Sequence, residues 1–232
     1  MVRKIDCFIP CRTNGDFIKN LNFLEINNIK LVEYTIISSL NSKLFRNIYL
    51  LTNKKFSFSN VKKKFKSLKF INTKSSKKPF YEVIRKLNNI KYFKEPIDIC
   101  VLLPNYPFRT SKTIRKVYNK YRNYNLNFIA TAKKDYHFYF KLNKRKYKYI
   151  NYSKKIIDRK NITPLCRYAG GIFIYNSRKI KTDFTKNLNI TNLFFLNNHE
   201  SFGIYSLYDF VTASSLINID DSILSEMSNY KK

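Results

Sequence analysis

The chain has few of the residues that loosen a backbone, and it has no tryptophan. Only four glycines and six prolines occur among 232 residues. This composition excludes a linker-rich or disordered chain, and a hydrophobic fraction of 44% is enough for a packed core. No apolar run is long enough to span a bilayer, and no signal-peptide pattern follows the first residues. We therefore expect a single domain over residues 1–232, located in the cytoplasm and without membrane contact.

Acidic residues are also scarce, at 15 against 45 lysines and arginines, and the formal net charge is +30. Such a charge is typical of proteins with a polyanionic partner. The cations are mostly lysines, and we interpret them as spread along the chain with abundant asparagine and isoleucine, a pattern that AT-rich codon usage also produces. A dedicated nucleic-acid-binding protein would more often concentrate its charge in one arm or helix face. Nucleic-acid binding is therefore the weaker alternative, whereas a phosphate-bearing substrate would benefit from the positive field.

Cysteine and histidine are too few and too scattered for a zinc site. The chain has four cysteines and two histidines: Cys7, Cys11, Cys100, Cys166, His137 and His199. They form no C-x-x-C pair and no histidine cluster. Cys7 and Cys100 lie in predicted buried strands, where cysteine usually packs as a small hydrophobe. His137 and His199 are interpreted as solvent or packing residues, because no carboxylate pattern typical of a catalytic dyad lies near them in sequence.

Short apolar runs alternate with amphipathic segments along the chain. The predicted order is a strand ending at residue 9, a helix over 31–40, a strand over 47–53, a helix over 58–68, a strand over 68–73, a helix from 79, a central strand over 97–104, a helix capped by Ser111, and strands over 127–133 and 170–175. Pro10 is expected to end the first ladder because proline has no N–H. The alternation predicts a mostly parallel sheet covered by helices, with ligands outside the carboxyl ends of its strands.

The composition changes at about residue 134. Residues 135–165 are rich in tyrosine and lysine and contain alternating stretches at 136–140 and 147–150. This pattern predicts an antiparallel hairpin outside the main sheet. Exposed aromatic residues of this kind are typical of interfaces.

Four short motifs occur in the order and spacing of one known family. Residues 9–12 (I-P-C-R) with 19–21 (K-N-L) are similar to its I-P-A-R and K-N-L motifs, and residues 103–109 (L-P-N-Y-P-F-R) are similar to Q-P-T-S-P-L-R. Residues 170–175 (G-G-I-F-I-Y) are similar to N-G-A-I-Y, and residues 218–220 (N-I-D) are similar to D-I-D. The chain therefore resembles the acylneuraminate cytidylyltransferases, or CMP-sialic acid synthetases.

The resemblance implies a fold and a reaction. The fold would be a Rossmann-like (GT-A-like) nucleotidyltransferase sandwich of three α/β layers, in which 135–165 form a protruding β-rich dimerisation arm. The reaction would transfer CMP from CTP to a nonulosonic (sialic-acid-type) keto sugar and release pyrophosphate. The protein would act as a homodimer in nucleotide-sugar biosynthesis.

The resemblance also assigns roles to individual residues. Arg12 and Lys19 would be catalytic by neutralising the triphosphate. The implied nucleotide-binding residues are Arg12, Asn14, Gly15, Lys19, Asn20, Asn105 and Arg109. The implied sugar-binding residues are Arg109, Arg159, Arg167 and Gly170, with guanidinium groups suited to a sugar carboxylate. The implied Mg²⁺ ligands are Asp220 and, as a local substitute, Asp221.

Several family positions carry other residues, and these keep an alternative open. Asp16 lies near the place of a phosphate-binding lysine, and Asn218 replaces the first aspartate of D-I-D. A catalytically impaired relative that binds a nucleotide or a protein partner is therefore the alternative function. At the level of single residues, Asp220 could equally cap the last helix, and Arg109 could stabilise its loop.

Overall fold

The computed structural model describes residues 5–11, 18–52, 59–72, 97–143, 146–151, 162–177 and 192–228. The strands of this part are β1 (Ile5–Cys11), β2 (Glu25–Ile26), β3 (Ile29–Lys30), β4 (Asn47–Thr52), β5 (Leu68–Asn72), β6 (Asp98–Leu102), β7 (Phe128–Asp135), β8 (Phe140–Asn143), β9 (Lys146–Tyr149), β10 (Leu165–Asn176) and β11 (Asn192–Phe195). Its α-helices are α1 (Leu31–Ser42), α2 (Ser59–Lys64), α3 (Ser111–Asn123), α4 (Leu207–Ile217) and α5 (Asp221–Ser228).

Seven strands form one mixed sheet in the order β11-β7-β10-β6-β1-β4-β5. Strand β10 is antiparallel to both of its neighbours, and the remaining pairs are parallel. Strand β6 occupies the middle of this order, and all five of its residues are buried. The predictions of a mostly parallel α/β sheet and of a central apolar strand are confirmed.

The core lies on both faces of this sheet. In β1, Cys7 and Ile9 pack into the larger apolar cluster with residues of α1 and α3, while Phe8 packs into a smaller cluster on the other face. Successive side chains of a strand point to opposite faces, so a strand buried on both faces needs a nearly continuous apolar sequence. The run from Ile5 to Cys11 meets that requirement.

Helix α1 is more deeply buried than its predicted apolar stripe requires. Residues 31–39 are all buried, whereas Leu40, predicted to lie in the stripe, is only partly buried. The buried serine hydroxyls form hydrogen bonds within the helix, which offset their loss of contact with water. The Ser38 hydroxyl donates to the Thr35 carbonyl at 3.2 Å, and the Ser39 hydroxyl donates to the Ile36 carbonyl at 2.7 Å. The helix can therefore pack on several sides at once.

Two local predictions were wrong. Strand β1 continues through Pro10 and stays paired with β4 as far as Cys11. The pairing with β6 stops at Phe8, before the proline. The absence of an N–H at Pro10 therefore removes no hydrogen bond between β1 and β6. The cap of α3 is Thr110, which has extended backbone angles and accepts from the Thr113 N–H at 3.3 Å, while Ser111 is the first helical residue.

Other boundaries differ from the sequence prediction or lie beyond the described residues. Helix α2 covers 59–64, a shorter span than the predicted 58–68. The helix predicted from residue 79 lies outside the described residues. No helix in the described part has the length and apolar character needed to cross a membrane. The assignment of residues 1–232 to one domain stays a prediction.

Strands β8 and β9 form a separate antiparallel pair, with Phe140 opposite Tyr149 and Asn143 opposite Lys146. The predicted hairpin outside the main sheet is confirmed. Its base is held by buried Asn151, whose side chain accepts from the Tyr139 N–H at 3.0 Å and donates to the His137 carbonyl at 2.8 Å. Whether this hairpin is a dimerisation arm stays a prediction.

An ion pair between a buried carboxylate and a partly exposed guanidinium lies at the amino end of the sheet. Asp6 is fully buried and accepts from Arg46 Nε at 3.0 Å, from a terminal Arg46 nitrogen at 2.8 Å and from Asn47 Nδ2 at 3.1 Å. Removing one partner of a buried pair leaves an uncompensated charge, which is more costly than removing both.

We expect Arg46→Met to lower the free energy of unfolding by about 1–2 kcal/mol, because the buried Asp6 carboxylate loses its bonds to the guanidinium, while the 39% exposure of the Arg46 side chain limits the effect. The double variant Asp6→Asn, Arg46→Met should lose less, because no buried charge remains. Urea denaturation of both variants measures the difference. Equal losses in the single and double variants would show that the buried charge is not the cause.

Candidate functional site

The carboxyl ends of the parallel strands lie along one edge of the sheet. The segments 103–110, 136–151 and 196–206 follow β6, β7 and β11 at this edge. Because β10 runs the other way, its first residues reach the same edge. Ligands of open α/β sheets bind outside this edge, so these segments form the described part of the candidate site.

Arg109 joins three elements at the centre of this edge. Its side chain is buried, and the residue is 2% exposed. One terminal nitrogen donates to the Leu103 carbonyl at 3.1 Å and to the Gly170 carbonyl at 2.9 Å, and the other donates to Thr35 Oγ1 at 2.7 Å. These bonds connect the loop after β6 with β10 and α1.

Arg109 has no carboxylate partner among the described residues. Its guanidinium is held by carbonyl and hydroxyl oxygens, and burial lowers the pKa of Arg109 to about 10. The group was predicted to contact nucleotide and sugar, but both terminal nitrogens donate within the protein, and buried Nε has no hydrogen-bond partner among the described residues. Direct contact with a ligand stays a prediction, and the geometry favours the alternative that Arg109 positions its loop.

Tyr106 fills the space between two glycines. A Cβ atom added to Gly171 would lie 2.6 Å from Cδ2 of Tyr106, and one added to Gly203 would lie 2.6 Å from its Cε1. Its hydroxyl is hydrogen-bonded to that of Tyr205, and burial is the main cause that raises the pKa of Tyr106. Sequence analysis gave Tyr106 no role, although it sits in the motif where the family has a small residue.

Gly170 and Gly171 form an irregularity in β10. Both have positive φ, at 76° and 60°, and the register with β7 shifts between Tyr168 and Phe173. Such backbone angles favour glycine, and a Cβ on Gly170 would lie 2.1 Å from Leu196. Backbone geometry thus accounts for the presence of glycine at position 170, which was predicted to bind the sugar. Contact of Gly170 with a sugar stays a prediction.

The segment 197–206 packs directly on the loop after β6. The Ile204 N–H donates to the Asn105 carbonyl at 2.9 Å, and Asn105 Nδ2 lies 3.4 Å from the Ile204 carbonyl. The ring of His199 lies 4.2 Å from the ring of Phe108, measured between centroids. Asn105, predicted to bind nucleotide, is therefore half-buried beneath this segment.

The two oxygens of Asp220 differ: Oδ1 accepts hydrogen bonds, whereas Oδ2 is buried without a hydrogen-bond partner among the described residues. Oδ1 accepts from the Ser222 N–H at 3.0 Å, the Ser222 hydroxyl at 2.7 Å and the Ile223 N–H at 3.2 Å, so Asp220 caps α5. Oδ2 lies 3.0 Å from Nε2 of His199. The alternative interpretation of Asp220 as a helix cap is confirmed.

His137 is exposed and His199 packs on Phe108, as predicted, but each also has an aspartate neighbour that the sequence interpretation did not expect. The ring Nδ1 of His137 is hydrogen-bonded to Asp135, and the backbone N–H of His137 donates to Asp135 Oδ1 at 3.2 Å. Hydrogen bonds from Tyr139 and His137 lower the pKa of Asp135 to about 2.

Arg167, predicted to bind the sugar carboxylate, is half exposed, with Nε 4.0 Å from Asp135 Oδ2. It lies at the start of β10, on the candidate edge.

The predicted magnesium site is not assembled by the described residues. No group of three or more His, Cys, Asp or Glu side chains in this part could hold a metal ion. Asp220 already accepts hydrogen bonds and faces an imidazole, and Asp221 is exposed at the start of α5. Mg²⁺ prefers several oxygen ligands, so these residues alone do not fit it, and Mg²⁺ binding stays a prediction.

The remaining predicted residues divide between exposed and undescribed positions. Lys19 is exposed, and Asn20 has a left-handed backbone that starts the short 3₁₀ turn Leu21–Phe23. Four predicted residues and the replaced loop position lie outside the described residues: Arg12, Asn14, Gly15, Arg159 and Asp16. The described structure thus brings Asn105, Arg109 and Gly170 together and connects them to Asp220 through Phe108 and His199.

We expect Arg109→Ala to lower the free energy of unfolding by about 2–4 kcal/mol, because two carbonyls and the Thr35 hydroxyl lose a buried donor. The matched control is Arg115→Ala on the exposed side of α3, where the change should stay within about 0.5 kcal/mol. Denaturant unfolding of both variants measures the effect. Similar losses at the two positions would contradict the role given to Arg109.

Comparison with known proteins gives a fold and no sequence family. No protein family model matches the chain, and no curated protein matches it. The solved structure of a CMP:2-keto-3-deoxy-manno-octonic acid synthetase complexed with CTP aligns with a TM-score of 0.68 at 10% identity, over 93% of this chain and 98% of that one. The 4-diphosphocytidyl-2C-methyl-D-erythritol synthase from Anaerococcus prevotii aligns with a TM-score of 0.67 at 12% identity, over 93% and 99%.

A second structure of a 4-diphosphocytidyl-2C-methyl-D-erythritol synthase is similar to the same degree, with a TM-score of 0.67 at 12% identity over 94% of this chain and 99% of that one. At such identities the likeness establishes the fold alone. The predicted α/β nucleotidyltransferase fold is confirmed, and the resemblance to acylneuraminate cytidylyltransferases stays a prediction.

Proposed function

We propose that this protein is a cytidylyltransferase that transfers CMP from CTP to a sugar acid and releases pyrophosphate. The observation that carries the proposal is the direct connection of three predicted motifs at the carboxyl edge of the sheet. Arg109 donates to the Gly170 carbonyl, and Phe108 packs on His199, which lies beside Asp220. These motifs are far apart in sequence, so their contact supports a common site.

The nucleotide would approach this edge from the side of the loop after β1. A triphosphate carries several negative charges, and transfer at the α-phosphorus adds charge that the protein must stabilise. Arg12 and Lys19 follow β1 in sequence and supply the two cations nearest to its carboxyl end. The net charge of +30 would further attract CTP to the protein.

The acceptor would be a nonulosonic keto sugar. Its carboxylate needs a cation within reach of the site, and Arg167 provides a half-exposed guanidinium at the start of β10. A guanidinium can bind a carboxylate through two parallel hydrogen bonds. This finer assignment depends on the motif resemblance, as do the homodimer and the requirement for Mg²⁺. The cytoplasmic location is proposed on the sequence pattern alone.

A second candidate is a relative that binds nucleotide without turnover. Tyr106 is buried against Gly171 and Gly203, and segment 197–206 covers the loop after β6. Oδ1 of Asp220 is already committed to capping α5, and only Oδ2, which lies 3.0 Å from His199 Nε2, has no hydrogen-bond partner among the described residues. These contacts reduce the space and the free oxygen ligands available at the described part of the site, which favours binding over catalysis.

The test is pyrophosphate release from CTP and from other nucleoside triphosphates, with a panel of keto-deoxy sugar acids, in the presence of Mg²⁺ or of a chelator. We expect turnover with CTP only, and Arg12→Ala should lower kcat/KM by about a hundredfold or more because it removes a charge-stabilising donor. Arg115→Ala should retain activity. Thermal stabilisation by CTP without turnover would identify the second candidate, and neither turnover nor stabilisation in folded protein would refute both.

Two substitutions at Asp220 can distinguish its role as a helix cap from a role of its negative charge in the reaction. Asparagine caps a helix as well as aspartate does, so Asp220→Asn should change stability by less than about 0.5 kcal/mol, whereas Asp220→Ala should cost about 1 kcal/mol. If the carboxylate also serves the reaction, Asp220→Asn loses activity while it keeps its stability. Full activity in Asp220→Asn would restrict Asp220 to its structural role.

A further inference from the structure

Helix α3 has an outward side made of cations, which we call the α3 stripe: Lys112, Arg115, Lys116 and Arg122. The first three are exposed, and Arg122 is partly exposed. Neighbouring members are three, four or seven residues apart in sequence, so they form one continuous row along the helix. The buried residues lie on the opposite side of the helix and are Ser111, Thr113, Ile114, Val117 and Tyr121.

The stripe lies in a part of the chain that has cations and no acidic residues. Eight lysines and arginines and no carboxylate occur between Asp98 and Asp135, whereas residues 187–230 contain no lysine or arginine at all. The interpretation of the cations as spread along the chain was therefore wrong. A chain whose charge is concentrated on one helix face has the feature that is typical of nucleic-acid-binding proteins.

Carboxylates that contact α3 do not neutralise the stripe. Glu226, Glu200 and Asp98 each bind a hydroxyl group of the helix. No ion pair joins a stripe residue to a carboxylate among the described residues. Arg115 does donate to a neutral group, the Asn41 carbonyl at 3.0 Å, and it keeps its full charge. The stripe therefore presents an uncompensated row of positive charge.

An exposed aromatic ring follows the stripe at the end of the helix. Tyr124 is 72% exposed and lies two residues after Arg122. Asn119 and Asn123 are exposed on the same side as the stripe and supply amide groups. Tyrosine rings stack on unpaired bases, while cations and amides next to them contact the phosphates.

We infer that the α3 stripe and Tyr124 bind single-stranded nucleic acid without sequence preference, in addition to the function proposed above. The helix has 13 residues and is therefore about 20 Å long, enough to follow several phosphates of a strand. The exposed ring favours a single strand, because the bases of a duplex are already stacked on each other. The stripe itself has no apolar side chain that could insert into a membrane beside the cations. None of its residues belongs to the proposed catalytic site, so the inference does not depend on the reaction.

Fluorescence anisotropy of a labelled single strand of about 20 nucleotides and mixed sequence, titrated with the full chain at about 50 to 200 mM salt, tests this inference. The stripe variant is Lys112→Gln with Lys116→Gln and Arg122→Gln. Its Kd should rise by about tenfold or more, and the slope of log Kd against log salt should fall by about 2, because three phosphate contacts are lost.

The matched control removes the same net charge from another surface. It is Lys63→Gln with Lys66→Gln and Lys69→Gln, at three exposed lysines of α2, the turn after it and β5. Its Kd should stay within about twofold of the wild-type value, because it leaves the stripe intact. Equal losses in the stripe variant and the control would show that the strand responds to net charge alone, which would overturn the inference.

Tyr124→Ala separates stacking from phosphate contact. Its Kd should rise by about fivefold or more while its salt slope stays unchanged, because a base loses its stacking partner and no phosphate loses a cation. The control is Tyr208→Ala, at an 80% exposed tyrosine of α4, and it should bind like the wild type. An unchanged Kd in Tyr124→Ala, or a duplex that binds as tightly as the single strand, would overturn the assignment to single strands.

Two competing occupants are distinguished in the same assay. Binding to vesicles of phosphatidylserine and phosphatidylcholine without binding to the oligonucleotide would overturn the inference in favour of a membrane surface. Displacement of the strand by CTP, but not by ATP at the same concentration, would place the strand in the proposed nucleotide site and would also overturn it. Circular dichroism confirms that each variant is folded. The stripe variant should release pyrophosphate at the wild-type rate, and a chain that binds the strand through the stripe without any turnover would refute only the proposed function.

Discussion

The candidate site depends on one buried guanidinium. Arg109 donates to the carbonyls of Leu103 and Gly170 and to the Thr35 hydroxyl. It therefore connects the loop after β6 with β10 and α1. A buried charge without a carboxylate is tolerable only when oxygen dipoles surround it. The left-handed backbone at Gly170 and Gly171 belongs to the same arrangement, and its missing side chains leave the space that Tyr106 and Leu196 occupy. The edge of the sheet is therefore built as a single connected unit.

The acidic residues from Glu200 onward contact the starts of helices. Asp209 caps α4 and Asp220 caps α5. Glu226 accepts from the Ser111 N–H at 3.0 Å at the start of α3, and Glu200 accepts from the Thr113 hydroxyl in the same turn. A helix N-terminus carries partial positive charge and unpaired N–H groups, so anions stabilise it. These acidic residues therefore stabilise the starts of three helices, α3, α4 and α5.

Local patterns were predictable from sequence, and contacts between distant residues were not. Strand β6 and helix α1 follow from apolar content and period, and the hairpin follows from alternation that begins where the composition changes. The G-G pair also signals a special backbone. Nothing in sequence places His199 beside Asp220 or buries Arg109, because both depend on how separate strands and loops meet. The predicted motifs 103–109 and 170–175 lie at the carboxyl edge of the sheet, while the burial of Arg109 at that edge emerged only from tertiary packing.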